Sequence, residues 1–560
     1  MNTGERKIKV FIIGLDGATF DLILPWAQTG QLPCFAKILK ESAWGELEST
    51  FPPLTAPAWS SFMTGKSSGN HGIFDFFSRE KTSYTQHLNS ILDLKEEIIW
   101  NIIGDAGKKV GIVNVPFTYP PQKVNGFIIT GLLTPRKCET YTCPSHLHEE
   151  LAKELGEYLI HHTETYNGKN MKRFMEEQFA ILSNRTRAGL YLMAKKEWDL
   201  FLLHFFGTDR IQHEFWHIHD KSHSQHDPKE RDKYGDVILN YFKELDSCIN
   251  ELLDHMDNDT VLVLLSDHGF GKSERIFHVN TWLMKMGLLT LRKNIKTRIK
   301  YILFQSGLTY TSVAKIILAL GLGRRVLKFG RGRRQKIQEK FFLSLKDIDW
   351  TKTQAYSLGN FGQIYVNLKE REPDGIVSAG GEYERVLQSL TEKLLEVEDP
   401  TSGEKVIQEV LTKKETFGGK YENIAPDLCF ITKDMKYKAF GLADFSSNKI
   451  IESAYGSTGH HKMNGILSVR KKGIVKENYR IKSAKIWDIA PTLLYMLGIP
   501  IPSDMDGKVL TDIFQPDYIK GNKIRYKKVK ERFDSKNDVI TYTDGEEKDV
   551  KKQLKDLGYI

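Results

Sequence analysis

At three places in this 560-residue sequence an acid, alone or with an imidazole, follows closely on a run of apolar residues. VLVLL (261–265) leads to Ser266, Asp267 and His268, WDLFLLHFF (198–206) to Asp209 and His213, and KIKVFIIGL (7–15) to Asp16. Carboxylate oxygens and imidazole nitrogens are the donors that zinc, manganese and iron accept. Asp209 and His213 are four apart, so a helical turn beginning there puts both on one face. Asp267 and His268 would point to opposite sides of a continued strand, but a turn loosened by Gly269 lets both converge on one cation. A lone acid at a strand end is ordinarily a turn or capping residue. Three such placements together point to a metal centre.

These groups need a frame. Residues 7–15, 109–115, 126–133, 198–206 and 260–265 are short and densely apolar, and helical-period stretches such as 171–197 and 236–256 lie between them. Nearly continuous apolar strands alternating with helices predict an α/β fold with a mostly parallel sheet covered on both faces. Reactive groups in such sheets gather beyond the carboxyl ends of the strands, where Asp16, Asp209 and Asp267 fall. The expected organisation is a catalytic core in two parts, 1–271 and 425–515, with an inserted α+β cap at 272–424. Residues 516–560 are rich in Lys, Asp and Glu, and read as a charged, solvated extension with a last helix near 546–558.

A metal centre needs a reaction, and FPPLTAPAWSSF (51–62) offers a nucleophile. Thr55 stands between Pro53 and Pro57, just before a helix expected near Ala58. A helix N-terminus presents unpaired N–H groups and a dipole that favours an anion. Threonine is a weak nucleophile unaided. Two cations about 4 Å apart would stabilise its alkoxide and clamp the entering and leaving oxygens of an in-line displacement. Without the acid and imidazole motifs Thr55 would read as a helix cap.

The ordered set Asp16, Thr55 in T-A-P, D-R-I-Q-H (209–213), S-D-H-G (266–269) and G-H-H-K-M-N-G (459–465) resembles the alkaline phosphatase superfamily, and most closely its type I phosphodiesterase/nucleotide pyrophosphatase branch. DIAPTLLYMLGIPIPSDMDGKVL (488–510) is similar to the closing segment of these proteins. The resemblance implies an alkaline phosphatase-like sandwich, a central sheet flanked by helices. It also implies that Asp16, Thr55, Asp267 and His268 hold one divalent cation, that Asp209, His213 and His461 hold a second, and that Thr55 is transiently phosphorylated. His461 is preferred to His460 for its spacing to Gly465. Zinc is the ion the family implies, and the donor set also suits manganese or iron.

The sequence departs from its relatives in two ways. Sulfatases of the superfamily carry a cysteine or serine, then proline and arginine, where this chain has Thr55-Ala56-Pro57-Ala58-Trp59, so sulfate ester chemistry by that route is disfavoured. Nucleotide pyrophosphatases place an asparagine 21 residues after the threonine, and here that position is Phe76. The phosphoryl-oxygen contact is then expected from backbone N–H groups near Thr55 or from Asn70. The expected activity is that of a two-metal phosphodiesterase. Its rivals are a phosphomonoesterase or phosphomutase using the same site, and a non-catalytic protein that binds anionic surfaces.

The last reading comes from charge. Between Arg292 and Lys340 there are 14 Lys or Arg against one acid, a net +13, while the whole chain carries +9, so the remainder is acidic. With YILF and VAKIILALGLG inside it, this segment fits peripheral contact with an anionic membrane, or a helical cap packed by its apolar face. Expected substrates are phosphorylated small molecules, lipid-linked or sugar-linked. No nucleic-acid motif accompanies the charge, so specific nucleic-acid binding is not expected. Five unpaired-looking cysteines point to a reducing, cytoplasmic home, and no stretch reaches the roughly 20 apolar residues that span a bilayer.

Overall fold

All five apolar runs form strands of one sheet, because alternate residues of each can be buried on opposite faces. The structure, a computed structural model, describes residues 8–80, 83–136, 138–309, 311–313, 340–441, 445–529 and 542–559. In chain order the sheet comprises β1 (Lys9–Leu15), β2 (Ala43–Glu48), β3 (Val110–Val115), β4 (Gly126–Thr130), β5 (Thr142–Cys143), β6 (Leu200–Phe205), β7 (Thr260–Leu265), β8 (Asn464–Arg470) and β9 (Tyr479–Arg480). Their spatial order is β9-β2-β8-β7-β1-β6-β3-β4-β5. Only β5 and β8 run against the rest. The sheet is mostly parallel and the fold is alkaline phosphatase-like.

Side-chain alternation divides the core in two. Val10, Ile12, Leu200, Leu202, Val261 and Val263 join Trp59, Trp100 and Leu493 on one face. Phe11, Ile13, Phe201, Leu203, Leu262 and Leu264 join helices Phe20–Gln28, Met171–Lys195 and Val237–Asp254 on the other. Each such side chain taken out of water contributes about 1.5–3 kcal/mol. The register pairs Ile12 with both Leu202 and Val263, so β1, β6 and β7 end level and release Asp16, Asp209 and Asp267 at one rim.

A smaller lobe follows. Arg275–His278 pairs with Tyr437–Phe440 and Ile451–Ser453, and a four-stranded sheet joins Ala355–Ser357, Gln363–Val366, Leu428–Thr432 and Ile407–Thr412 beside helix Gly381–Leu395. Its core is separate and includes Phe277, Trp282, Tyr356 and Phe430. Two expectations are corrected here. Residues 425–453 do not resume the large sheet, since Leu428–Thr432 pairs with Gln363–Val366 and Ile407–Thr412. Its apolar pattern marked a buried strand, and only long-range pairing decided which sheet took it.

The segment from 542 onward is not a solvated extension. Helix Asp544–Asp556 turns Val550 and Leu554 inward, both fully buried against the first core, and Leu557 and Tyr559 follow them. Its charged residues cover only the outer face. Of the basic segment, residues 310 and 314–339 lie outside the described residues. Helix Ile295–Gln305 is described, and it turns Thr297 and Phe304 inward while Ile295, Ile299 and Ile302 are 78%, 56% and 59% exposed. Three isoleucines of this helix thus face solvent, while Phe304 seats it on Phe445 in the core of the smaller lobe. Among the described residues no helix is long and apolar enough to cross a membrane.

Candidate active site

Asp209 and His213 share a face of helix Gly207–His219, which starts directly after β6. After β7 the chain bends at Asp267 and His268 and re-enters a short strand, Gly269–Lys272, that pairs with Gly459–Lys462. This pairing sets His461 opposite Phe270 and brings it over His268, whose ring it stacks on at 3.7 Å. His460 points the other way and stacks on Phe361. Gly17 makes the close approach at Asp16 feasible. It has φ +63°, its N–H donates to Asp267 Oδ1 at 3.2 Å, and a Cβ there would lie 3.1 Å from the His268 ring.

Two groups of donors result. Asp16, Asp267 and His268 form one, and Asp209, His268 and His461 form the other, with His213 alongside. His461 Nε2 lies 3.1 Å from Asp209 Oδ1, His213 Nε2 lies 3.4 Å from the same oxygen, and the two Nε2 atoms are 3.0 Å apart. His268 Nε2 lies 3.3 Å from Asp16 Oδ1 and 3.5 Å from Asp267 Oδ2. All of these residues are buried.

Proton positions explain what such a cluster needs. His461 Nδ1 faces the Pro53 carbonyl at 2.8 Å, His213 Nδ1 the Gly459 carbonyl at 3.0 Å, and His268 Nδ1 the Gly269 carbonyl at 3.0 Å. A carbonyl only accepts, so each Nδ1 carries a proton and each Nε2 is turned toward the carboxylates, where it can offer a lone pair to a cation. The centre then consists largely of acceptors facing acceptors. Both oxygens of Asp16, Asp209 Oδ1, Asp267 Oδ2 and His268 Nε2 are buried without a hydrogen bond of good geometry. Buried orphan acceptors are costly, and divalent cations are the partners this donor set fits.

The titration of the groups follows the same logic. Burial, then the charge of Asp267, holds the Asp16 carboxyl well above its usual range, and burial raises Asp267. Burial alone would depress His268, but Asp267 and Asp16 push it up to about 10. Burial pushes His461 down to about 3, which keeps its ring neutral. Burial opposes ionisation of Asp209, yet His213 and His461 hold it well below the ordinary value.

Thr55 begins helix Thr55–Thr64 rather than preceding it, and is fully buried. Its Oγ1 lies 3.1 Å from the hydroxyl of Tyr559, which donates to Asp209 Oδ2 at 3.3 Å. The Asn70 side chain is engaged by other residues. Its Nδ2 donates to both carboxylate oxygens of Asp506, at 2.8 and 2.9 Å, and its Oδ1 accepts from the Lys420 N–H.

Two residues at the site were not foreseen. His204, one residue before the end of β6, sets its Nε2 3.2 Å from Asp16 Oδ2. An imidazole inside an apolar strand was the signal for it. Tyr559 had none. Beside His204 a cavity of about 30 Å3 is lined by Arg136, Arg185, Arg210 and His162. Arg185 is 3% exposed and donates to the carbonyls of Ile160 and His204, placing a buried positive charge near the carboxylates.

The rim of a mostly parallel α/β sheet carries this acid and imidazole cluster beside a helix-borne threonine, a candidate metal centre placed where open α/β sheets gather their reactive groups. A family model for type I phosphodiesterase / nucleotide pyrophosphatase matches residues 10–440, and the chain belongs to that family. Among solved structures, phosphonoacetate hydrolase from Sinorhizobium meliloti 1021 is similar at 14% identity, over 88% of this chain and 95% of that one, with a TM-score of 0.53. Human ectonucleotide pyrophosphatase / phosphodiesterase 5 aligns at 15% identity over 90% of this chain and 100% of its own, with a TM-score of 0.47. GPI ethanolamine phosphate transferase 2 of Kluyveromyces lactis is 31% identical over 105 residues, which is 19% of this chain and 11% of that protein. Its counterpart in Yarrowia lipolytica is 31% identical over 100 residues, 18% and 10% respectively. The match thus spans about a tenth of these curated relatives.

Proposed function

We propose that the chain is a two-cation phosphodiesterase that works through a phospho-threonine intermediate at Thr55. The observation that carries this is the buried, acceptor-rich centre of Asp16, Asp209, His213, Asp267, His268 and His461 beside the Thr55 hydroxyl. Divalent cations held there, zinc by preference with manganese or iron as substitutes, would stabilise the threonine alkoxide and neutralise charge on the phosphoryl oxygens. Asp16, Asp267 and His268 would hold one ion with Thr55, and Asp209, His213 and His461 the other. Thr55 Oγ, its proton given up to solvent, would attack phosphorus, the Oγ–P bond forming as the bond to the leaving ester oxygen breaks. That oxygen would leave as the alcohol by taking a proton from solvent. Water would then cleave the phospho-threonine, releasing the phosphomonoester and restoring the Thr55 hydroxyl. The buried guanidinium of Arg185 adds positive potential beside Asp16 and favours an anionic substrate.

The substrate class we infer is a phosphodiester on a lipid-linked or sugar-linked carrier. Exposed Ile295, Ile299 and Ile302, flanked by Lys293, Lys296 and Arg298, support a peripheral approach to an anionic membrane surface. All five cysteines are free, which fits a reducing, cytoplasmic compartment. The test is turnover of matched chromogenic diesters and monoesters by zinc-loaded and manganese-loaded protein, with Thr55→Ala as control. Diester cleavage abolished by Thr55→Ala is the expected result. A monoester preference would move the assignment to phosphatase or mutase, and undiminished turnover by Thr55→Ala would refute the threonine intermediate.

A further inference from the structure

The relatives' asparagine, 21 residues after the threonine, is absent here, and the structure puts something else in its neighbourhood. Phe76 packs its ring against Tyr559, with centroids 4.9 Å apart. The Tyr559 ring also meets His461 edge-on at 5.6 Å and His213 at 6.0 Å. Between these three rings the phenol is directed at Thr55 Oγ1 and Asp209 Oδ2. A centre built from carboxylate oxygens and imidazole lone pairs is short of donors, and a phosphoryl group on Thr55 brings more acceptors. The phenol is a neutral donor at the place where they would arrive.

This position is built. The Tyr559 carbonyl accepts from Asn360 Nδ2 at 2.7 Å, and the Gly558 carbonyl from Lys438 Nζ at 2.8 Å, both side chains of the smaller lobe. Upstream, Gln553 Nε2 donates to the Thr134 carbonyl at 3.0 Å, the Arg136 N–H to Asp549 at 2.7 Å, and the Tyr542 hydroxyl to the Leu133 carbonyl at 3.1 Å. Val550 and Leu554 are fully buried beneath them. Two lobes therefore hold the segment on both sides of the phenol.

We infer that Tyr559 is a catalytic residue whose hydroxyl donates to a non-bridging phosphoryl oxygen during transfer to and from Thr55. The inference rests on phosphoryl transfer at Thr55. It assigns to the 542–559 segment the donor role that Phe76 cannot fill. A phenol that merely shielded Thr55 would instead have to leave before substrate enters, and its removal would speed the reaction.

The experiment compares wild type, Tyr559→Phe and Thr55→Ala, each loaded with zinc or manganese, in two assays. The first is steady-state cleavage of the chromogenic diester. The second is calorimetric binding of inorganic phosphate, which needs no turnover. Tyr559→Phe keeps the ring that packs on Phe76, and thermal melting checks that it does. The expected result is a fall in kcat of about 10- to 100-fold with KM moved less than about threefold, and phosphate bound about tenfold more weakly. An unchanged kcat or a rise in kcat, or unchanged phosphate affinity, overturns the assignment. If wild type cleaves no ester, the Thr55 reading loses its support, and a phosphate affinity that Tyr559→Phe leaves unchanged still overturns the donor role separately. Should Tyr559→Phe melt early, fluorotyrosine at 559 preserves the shape and strengthens the donor, so a kcat that shifts supports the role and an unmoved kcat overturns it.

Discussion

Asp267→Asn separates a metal ligand from a structural carboxylate. Asp267 is fully buried, its Oδ1 accepts from the Gly17 N–H, and its Oδ2 makes no hydrogen bond of good geometry. Asparagine keeps the volume and the acceptor for Gly17 but removes one of three clustered buried acids. In chelator, therefore, the variant should melt no lower than wild type, because burial already disfavours this carboxylate's charged form. With metal the order should reverse. A cation at 1,000 times its dissociation constant stabilises the folded state by about 4 kcal/mol. Unfolding entropy of about 2.1 cal/mol/K per residue over 560 residues is roughly 1.2 kcal/mol/K, so one bound ion should raise the melting temperature by about 3 °C. The variant should lose that increment, and elemental analysis should find one ion fewer per chain. Scanning calorimetry with and without metal reads both effects. A variant that gains as much from metal as wild type, or that melts lower in chelator, would refute the reasoning.

Two more predictions follow from groups outside the cluster. Burial pushes the Asp75 carboxyl up to about 6, so the folded state binds a proton that the unfolded state has released, and stability should fall as pH rises from about 4 to about 6. Asp75→Asn should remove that slope and gain up to about 3 kcal/mol at neutral pH, read from denaturant melts across the range; a slope that survives the substitution would exclude Asp75 as its source. Ile299→Asp combined with Ile302→Asp should abolish flotation with phosphatidylserine vesicles at low salt while leaving diester turnover in solution intact. Flotation equal to wild type would remove helix Ile295–Gln305 from the membrane contact.

Much of the site could be read in the sequence because its signals are local. An apolar run followed by an acid states both the strand and the rim position, and β1, β6 and β7 obey it. The four-residue step from Asp209 to His213 needed only one helical turn. Spacing favours His461 over His460, and His461 Nε2 lies 3.1 Å from Asp209 Oδ1. The boundary of the smaller lobe was not legible, since Leu428–Thr432 is as apolar as a central strand and only its hydrogen-bonded partners tell the two apart. Asn70 reads as free for an anion because the sequence does not disclose that Asp506, 436 positions away, takes its amide. Tyr559 lies furthest beyond local reading, 504 positions from the threonine it touches. Its segment is predominantly charged, and charge along one helix face says nothing of the apolar face beneath. Sequence by itself determined which side chains are candidates to bind cations or carry a phosphoryl group, because donor chemistry and short spacings are local properties. Tertiary structure alone decided what covers Thr55, because that depends on where a distant helix finds apolar surface to bury.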